Sequence, residues 1–145
     1  MRLKCIGQII VVSLLAGLVL TCRAETEAEK LFQQAQASFD AAQYQAALAK
    51  IEQAVALAPD NSSYHHLLGK CYGRLAEQSN PLTAFSLAKK TRKALERAVE
   101  LDRNNINALK DLMQYYQQAP GFLGGSKKKA DKIQEILEAN DIAPG

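Results

Sequence analysis

The sequence predicts an all-α protein: a solenoid of about three antiparallel helix pairs, its middle pair elongated, behind a removable leader. Three observations carry this. The chain after the first 24 residues is rich in Ala, Leu, Gln, Glu and Lys, which lose little side-chain freedom in a helix, and it has no period-two alternation. Apolar residues recur at helical spacing in six segments separated by short loops. Residues 51–61, IEQAVALAPDN, are echoed 44 positions later by residues 95–105, LERAVELDRNN.

The leader comes first. Arg2 and Lys4 open it, Ile9 to Leu20 form an apolar run, and Thr21-Cys22-Arg23-Ala24 follows. This is the order of a secretory signal peptide, with cleavage expected after Ala24. The run is short for a membrane anchor, which needs about 20 apolar residues. Lipid attachment at Cys22 is the minor alternative. Arg2, Lys4 and Arg23 are three of the 18 basic residues, so 15 remain against 15 acidic ones after cleavage. The formal charge of +3 therefore belongs to the leader and does not point to nucleic acid. Cys5 and Cys22 leave with it. Cys71 alone cannot form an internal disulfide, so the fold must rest on packing.

The first helix is expected to open at Thr26, whose spacing to Glu29 fits a capping box. Leu31, Ala35, Ser38 and Phe39 form its apolar side, and Ala41 to Gln43 a turn. The second runs from Tyr44 to about Ala58 with Ala47, Leu48, Ile51, Ala54, Val55 and Leu57 inward, and Pro59 stops it. Asp60 or Asn61 caps a third, Ser62 to about Gln78, carrying His65, Leu68, Tyr72 and Leu75. Asn80-Pro81 pairs a cap with the first helical position that tolerates proline. The fourth helix continues to about Asp102 on Ala84, Leu87, Ala88, Thr91, Ala94, Leu95, Ala98 and Leu101. Asn104 or Asn105 caps a fifth, Ile106 to Gln118. Pro120, Gly121, Gly124 and Gly125 make a loop, and Ser126 caps a last helix ending near Asn140.

These residues resemble the tetratricopeptide repeat (TPR) family. In residues 31–61, Leu31 stands at the family's large aromatic, Ala35 at its glycine and Tyr44 at the aromatic opening the second helix. Ala47, Ile51, Ala54 and Pro59 match its later positions. In residues 62–105, Leu68, Gly69 and Tyr72 match the Leu-Gly-x-x-Tyr core and Ala98 the later alanine. Residues 106–144 match only at Leu112 and Tyr116. The resemblance implies three units, about 26–61, 62–105 and 106–144. The offset of 44 exceeds the usual repeat of about 34, so the helices between Tyr72 and Thr91 are expected to be extended. Arg103 replaces the terminal proline. The segments NPLTAFSLAKK (80–90) and APGFLGGSKKKA (119–130) are similar to stretches of small exported bacterial TPR proteins.

Chemistry-bearing clusters are few. Neighbouring His65 and His66 point about 100° apart on a helix and cannot share a metal from one face. His65 is expected in the core, and Cys71 as a buried thiol. Gly121–Lys128 lacks the Gly-Lys order of a phosphate loop. Lys89, Lys90, Arg92, Lys93 and Arg97 alternate with Glu96 and Glu100, and Arg92–Glu96 has the spacing of a surface ion pair. No paired carboxylates, nucleophile triad or metal spacing remains, so no enzyme, cofactor or metal is implied.

The resemblance implies a ligand groove along the first helix of each pair. Carried over position by position, it comprises Phe32, Gln36, Phe39 and Asp40, then His66, Lys70 and Arg74, then Lys110, Gln114 and Gln117. The expected function is an exported, periplasmic scaffold or adaptor that binds a protein or peptide there. The alternative is an assembly subunit of a cell-envelope complex, stacking through the repeat ends. Ile133, Ile136 and Leu137 against Lys132, Glu135 and Glu138 polarise the last helix, which favours the adaptor.

Overall fold

The computed structural model describes residues 25–142. The expected leader, 1–24, lies outside them. Six α-helices and one short 3₁₀ turn make up the described residues, and no strand occurs among them: α1 (25–40), α2 (Tyr44–Leu57), α3 (Ser62–Glu77), α4 (Pro81–Leu101), α5 (Ile106–Gln118), the 3₁₀ turn Gly121–Leu123 and α6 (Lys127–Ile142).

The helix starts follow the asparagines. Asn61 accepts from the backbone N–H groups of Ser63 and Tyr64, Asn80 from Thr83 and Asn105 from Ala108, each relieving orphan donors at a first turn. Pro81 fills the first turn of α4, where its missing N–H costs nothing. Ser126 caps α6 through its side-chain oxygen, 3.4 Å from the Lys129 nitrogen. The described chain is already helical at Glu25, so the first helix does not open at Thr26 as expected.

The α1–α2 turn has an unexpected geometry. Gln43 N–H donates to the Ser38 carbonyl and Ala42 N–H to that of Phe39, both at 2.9 Å, which is a Schellman closure. It requires a left-handed residue, and here that is Ala42 at φ 58° rather than a glycine.

Consecutive helices pack on one another: α2 on α3, α3 on α4, α4 on α5 and α5 on α6. Two apolar clusters result. Ala28, Ala35, Ala47, Leu48, Ile51, Ala54, Leu67, Cys71 and Tyr72 fill the space between α1, α2 and α3. Leu95, Leu109, Leu112, Tyr116, Ala130 and Ile133 fill that between α4, α5 and α6. Small residues set the close approaches. A methyl group added at Gly69 would lie 2.9 Å from the Leu95 side chain, so α3 meets α4 at this glycine.

The repeat is visible in contacts as well as in letters. Tyr72 donates to Glu52 at 2.7 Å, and Tyr116 donates to Glu96 at 2.6 Å. Both tyrosines and both glutamates stand 44 positions apart. Ala54 and Ala98 are fully buried equivalents, and Asn61 and Asn105 are equivalent caps. Arg92 and Glu96 do form the expected ion pair, at 3.4 Å, but it is half-buried rather than superficial.

The inner face of α3 differs from the expected one. Tyr64 and Leu67 are buried, whereas His65 and Leu68 are only half-buried. The His65 ring nitrogen instead lies 2.7 Å from the Pro59 carbonyl. Tyr64 takes the core place because its ring stacks on Phe32 at 4.9 Å while its hydroxyl reaches Glu29 at 2.9 Å. Leu57 and Ile136, expected inward, are exposed.

Candidate functional site

A cleft of about 220 Å³ opens where the end of α1 and the helices α3 and α5 converge above α4. Its floor is made by Gly69, Gly73, Thr91 and Leu95, its α3 wall by Lys70, Arg74 and Glu77, and its α5 wall by Asp111, Gln114, Tyr115 and Gln118, with Phe39 at one end. Gly69 and Gly73, one turn apart on α3, face α4: a Cβ at Gly69 would lie 2.9 Å from the Leu95 side chain and one at Gly73 3.7 Å from that of Thr91, so the floor is a close α3–α4 contact.

The polar groups are held rather than loose. The His66 ring donates to Asp111 Oδ2 at 2.6 Å and ties α3 to α5 at the mouth of the cleft. Lys70 Nζ sits 4.6 Å from the centre of the Phe39 ring, a cation–π contact that links α3 to α1. Arg74 donates to Glu77 Oε2 at 3.0 Å, and this hydrogen bond with its charge raises the arginine further above its already high pKa. Burial raises the Tyr115 phenol, whose hydroxyl donates to the Leu123 carbonyl at 3.0 Å. Gln114 and Gln118 offer exposed amides. The result is a cationic wall facing an acidic and amide-bearing one over an apolar floor.

Of the residues carried over from the repeat pattern, Phe39, Lys70, Arg74 and Gln114 line this cleft, and His66 borders it through Asp111. Phe32 lies against Tyr64, and Gln36 donates to Asp40 at 3.0 Å, so these three sit outside the lining. Lys110 and Gln117 are exposed and also lie outside it; Asp111 and Gln118 hold the corresponding places. The buried stripe of α5, Leu109, Leu112 and Tyr116, carries the signal for that register. A larger open depression near the α2–α3 loop is lined by Glu25, Glu29, Asp60 and Tyr64. Its Glu29 is already engaged by Tyr64 and Gln33.

Cys71 is buried and burial pushes its thiol up to about 12, so it carries almost no thiolate at neutral pH. Among the described residues no three His, Cys, Asp or Glu side chains come together as metal ligands would. No helix of the described residues is long and apolar enough to cross a membrane.

The architecture is similar to that of a solved TPR domain, from Arabidopsis OM64. The match has a TM-score of 0.51 at 15% sequence identity, and covers 81% of this chain and 98% of that one. At that identity the likeness speaks for the fold: this is an all-α, TPR-like array. No protein-family model matches the chain, and no curated protein matches it.

Proposed function

We propose that the chain is an exported, non-enzymatic TPR-type scaffold that holds an extended segment of a partner protein in the cleft between α3 and α5. The observation that carries this reading is the two-walled lining. Lys70 and Arg74, with its partner Glu77, stand on one side, Asp111, Gln114, Tyr115 and Gln118 on the other, over Thr91 and Leu95. Opposed charges and free amides suit a peptide backbone with alternating side chains, and the apolar floor suits one anchoring residue. In this reading the leader is cleaved after Ala24 and the protein works in the periplasm. The helices then form three pairs, α1–α2, α3–α4 and α5–α6, of which the middle is elongated: α3 has 16 residues and α4 has 21.

The test is photo-crosslinking in cells. A photoreactive residue at Gln114, inside the cleft, should capture a discrete protein; one at Gln117, on the same helix but outside, should not. Lys70→Glu with Arg74→Glu should abolish the capture by at least about tenfold, the loss expected when a charge-assisted contact becomes repulsive. Equal capture from both positions, or capture indifferent to the charge reversal, sinks the cleft reading.

A second reading, assembly through the repeat ends, is favoured by Ile136, which is 46% exposed on α6. It predicts an oligomer in light scattering that Ile136→Asp returns to a monomer.

A further inference from the structure

The two most exposed large apolar side chains of the described residues lie in the first turn of α4 and in the 3₁₀ turn that contacts α4. Leu82, in the first turn of α4, is 84% exposed, and Phe122, in the 3₁₀ turn, is 74% exposed. Between them Phe85 is 38% exposed, its ring 6.2 Å from that of Phe122 with the planes 18° apart. The fold presents Phe122 deliberately. The Pro120 carbonyl accepts from both Leu123 and Gly125, and Tyr115 holds the Leu123 carbonyl, so Leu123 turns inward while Phe122 faces out. Gly124 makes this possible at φ 92°, and a side chain at Gly125 would overlap the Ala119 carbonyl.

The first charged residues of α4 beyond this corner are lysines. Lys89 Nζ lies 4.4 Å from the Phe85 ring centre, and Lys93 follows one turn along α4. No carboxylate of the described residues is within ion-pair distance of either. The acids on the neighbouring elements are already engaged: Glu77 by Arg74, and Glu96 by Arg92, Lys129 and Tyr116.

We propose that the Leu82–Phe85–Phe122 corner, with Lys89 and Lys93, docks on an anionic lipid bilayer. Charge complementarity selects an anionic occupant, and the local excess of cations persists although the chain beyond its leader is electrically balanced. A second copy is disfavoured, because a two-fold contact would set these lysines against their own equivalents. An acidic protein is disfavoured by shape. Anchors between proteins fill pockets, whereas these side chains project from a convex corner. Projecting Leu and Phe above a lysine fringe match the interfacial region of a membrane, where apolar tips enter the acyl boundary and ammonium groups meet headgroup phosphates.

The apolar run 9–20 would itself partition into lipid, so the readout must report the corner alone. The sequence contains no tryptophan. Phe122→Trp therefore makes a single reporter in the full chain, and Leu57→Trp, exposed at the end of α2, makes its control. With equimolar phosphatidylcholine–phosphatidylglycerol vesicles carrying brominated acyl chains, the reporter at 122 should shift to the blue and be quenched. The control should do neither, and pure phosphatidylcholine should leave both unchanged. Lys89→Gln with Lys93→Gln should weaken the response at 122 about 30-fold in lipid concentration. Leu82→Asp should weaken it further. Far-UV circular dichroism checks each variant, and Phe85→Trp replaces any reporter that fails to fold. Equal quenching at 57 and 122, an equal response on neutral lipid, or a shift produced by soluble polyglutamate but not by vesicles each overturns the proposal.

Discussion

Replacing Tyr116 by Phe should cost clearly more stability than replacing Tyr72 by Phe, although the two tyrosines are repeat equivalents. Each removes one hydroxyl and one hydrogen bond to a glutamate, at 2.6 Å and 2.7 Å respectively. A bond to a charged acceptor contributes about 1.5–3 kcal/mol when the acceptor is shielded, and less when water can replace the donor. Glu52 is exposed and rehydrates readily, so the change at 72 should cost about 0.5–1 kcal/mol. Glu96 is only 28% exposed; after the loss of the hydroxyl it keeps Arg92 at 3.4 Å and Lys129 at 3.8 Å. Those two contacts hold the carboxylate in place without restoring the short bond. The cost at 116 should be about 1.5–2 kcal/mol, toward the lower part of the charged range. The lysine over each ring, Lys90 at 5.2 Å and Lys129 at 5.0 Å, remains in both variants and cancels. In urea titrations with a slope of about 1.5 kcal/mol per M, the midpoint should fall by about 1–1.3 M at 116 and by less than about 0.7 M at 72. A combined Tyr116→Phe and Glu96→Gln variant should be much less unstable than the sum of its parts. Equal losses at the two sites, or full additivity in the cycle, would refute the reasoning.

Two further outcomes concern the backbone and pH. Ala42→Gly should stabilise the fold by about 0.5–1 kcal/mol, since glycine takes the left-handed turn without the Cβ penalty; an unchanged or lower urea midpoint contradicts the Schellman assignment. Stability should also fall at alkaline pH. Burial first, then the hydrogen bond to Glu29, pushes the Tyr64 phenol up to about 12, and the same causes, with Glu52 and Glu96 as partners, raise Tyr72 and Tyr116. Raised acids favour the protonated form in the fold, so their contribution is complete below the unfolded value of about 10 and is lost as pH climbs through the folded values. Urea midpoints between pH of about 9 and about 12 should decline, and less steeply in the Tyr→Phe variants.

The helices were legible because their punctuation is chemical. Asn61, Asn80-Pro81 and Asn105 each do the capping that their residue types permit, and the fixed offset between 51–61 and 95–105 announced a repeated packing unit. At the start of α1 the sequence points one residue too late, since the chain is already helical at Glu25. The α1–α2 turn was placed correctly, but its geometry was not readable: the left-handed position holds alanine, where sequence reasoning looks for glycine. On α3 both Tyr64 and His65 are aromatic, and the expected core position is 65. What decides for 64 lies elsewhere in the chain, in a ring at Phe32 and a carboxylate at Glu29 that only the folded state brings near.

The cleft was half legible for a related reason, and α5 shows why. Its rotation is fixed by Leu109 and Leu112 in the second core and by Tyr116 bound to Glu96. A helix turned so that 109, 112 and 116 face inward must present 111, 114, 115 and 118 together on one other side. The weak match of residues 106–144 to the repeat pattern left that rotation undetermined, and transferring positions from the pattern named Lys110 and Gln117, each about 100° off. The error changes the sign of the wall. With Lys110 the cleft would be cationic on both sides and would select an acidic ligand; with Asp111, held by His66, it opposes a cationic side to an acidic one. A segment carrying both charges fits such a cleft better than a purely acidic one. Asp111→Lys should therefore shift the captured partners toward acidic segments; it removes the His66 tie between α3 and α5 but touches neither core, so the helical circular dichroism signal should persist.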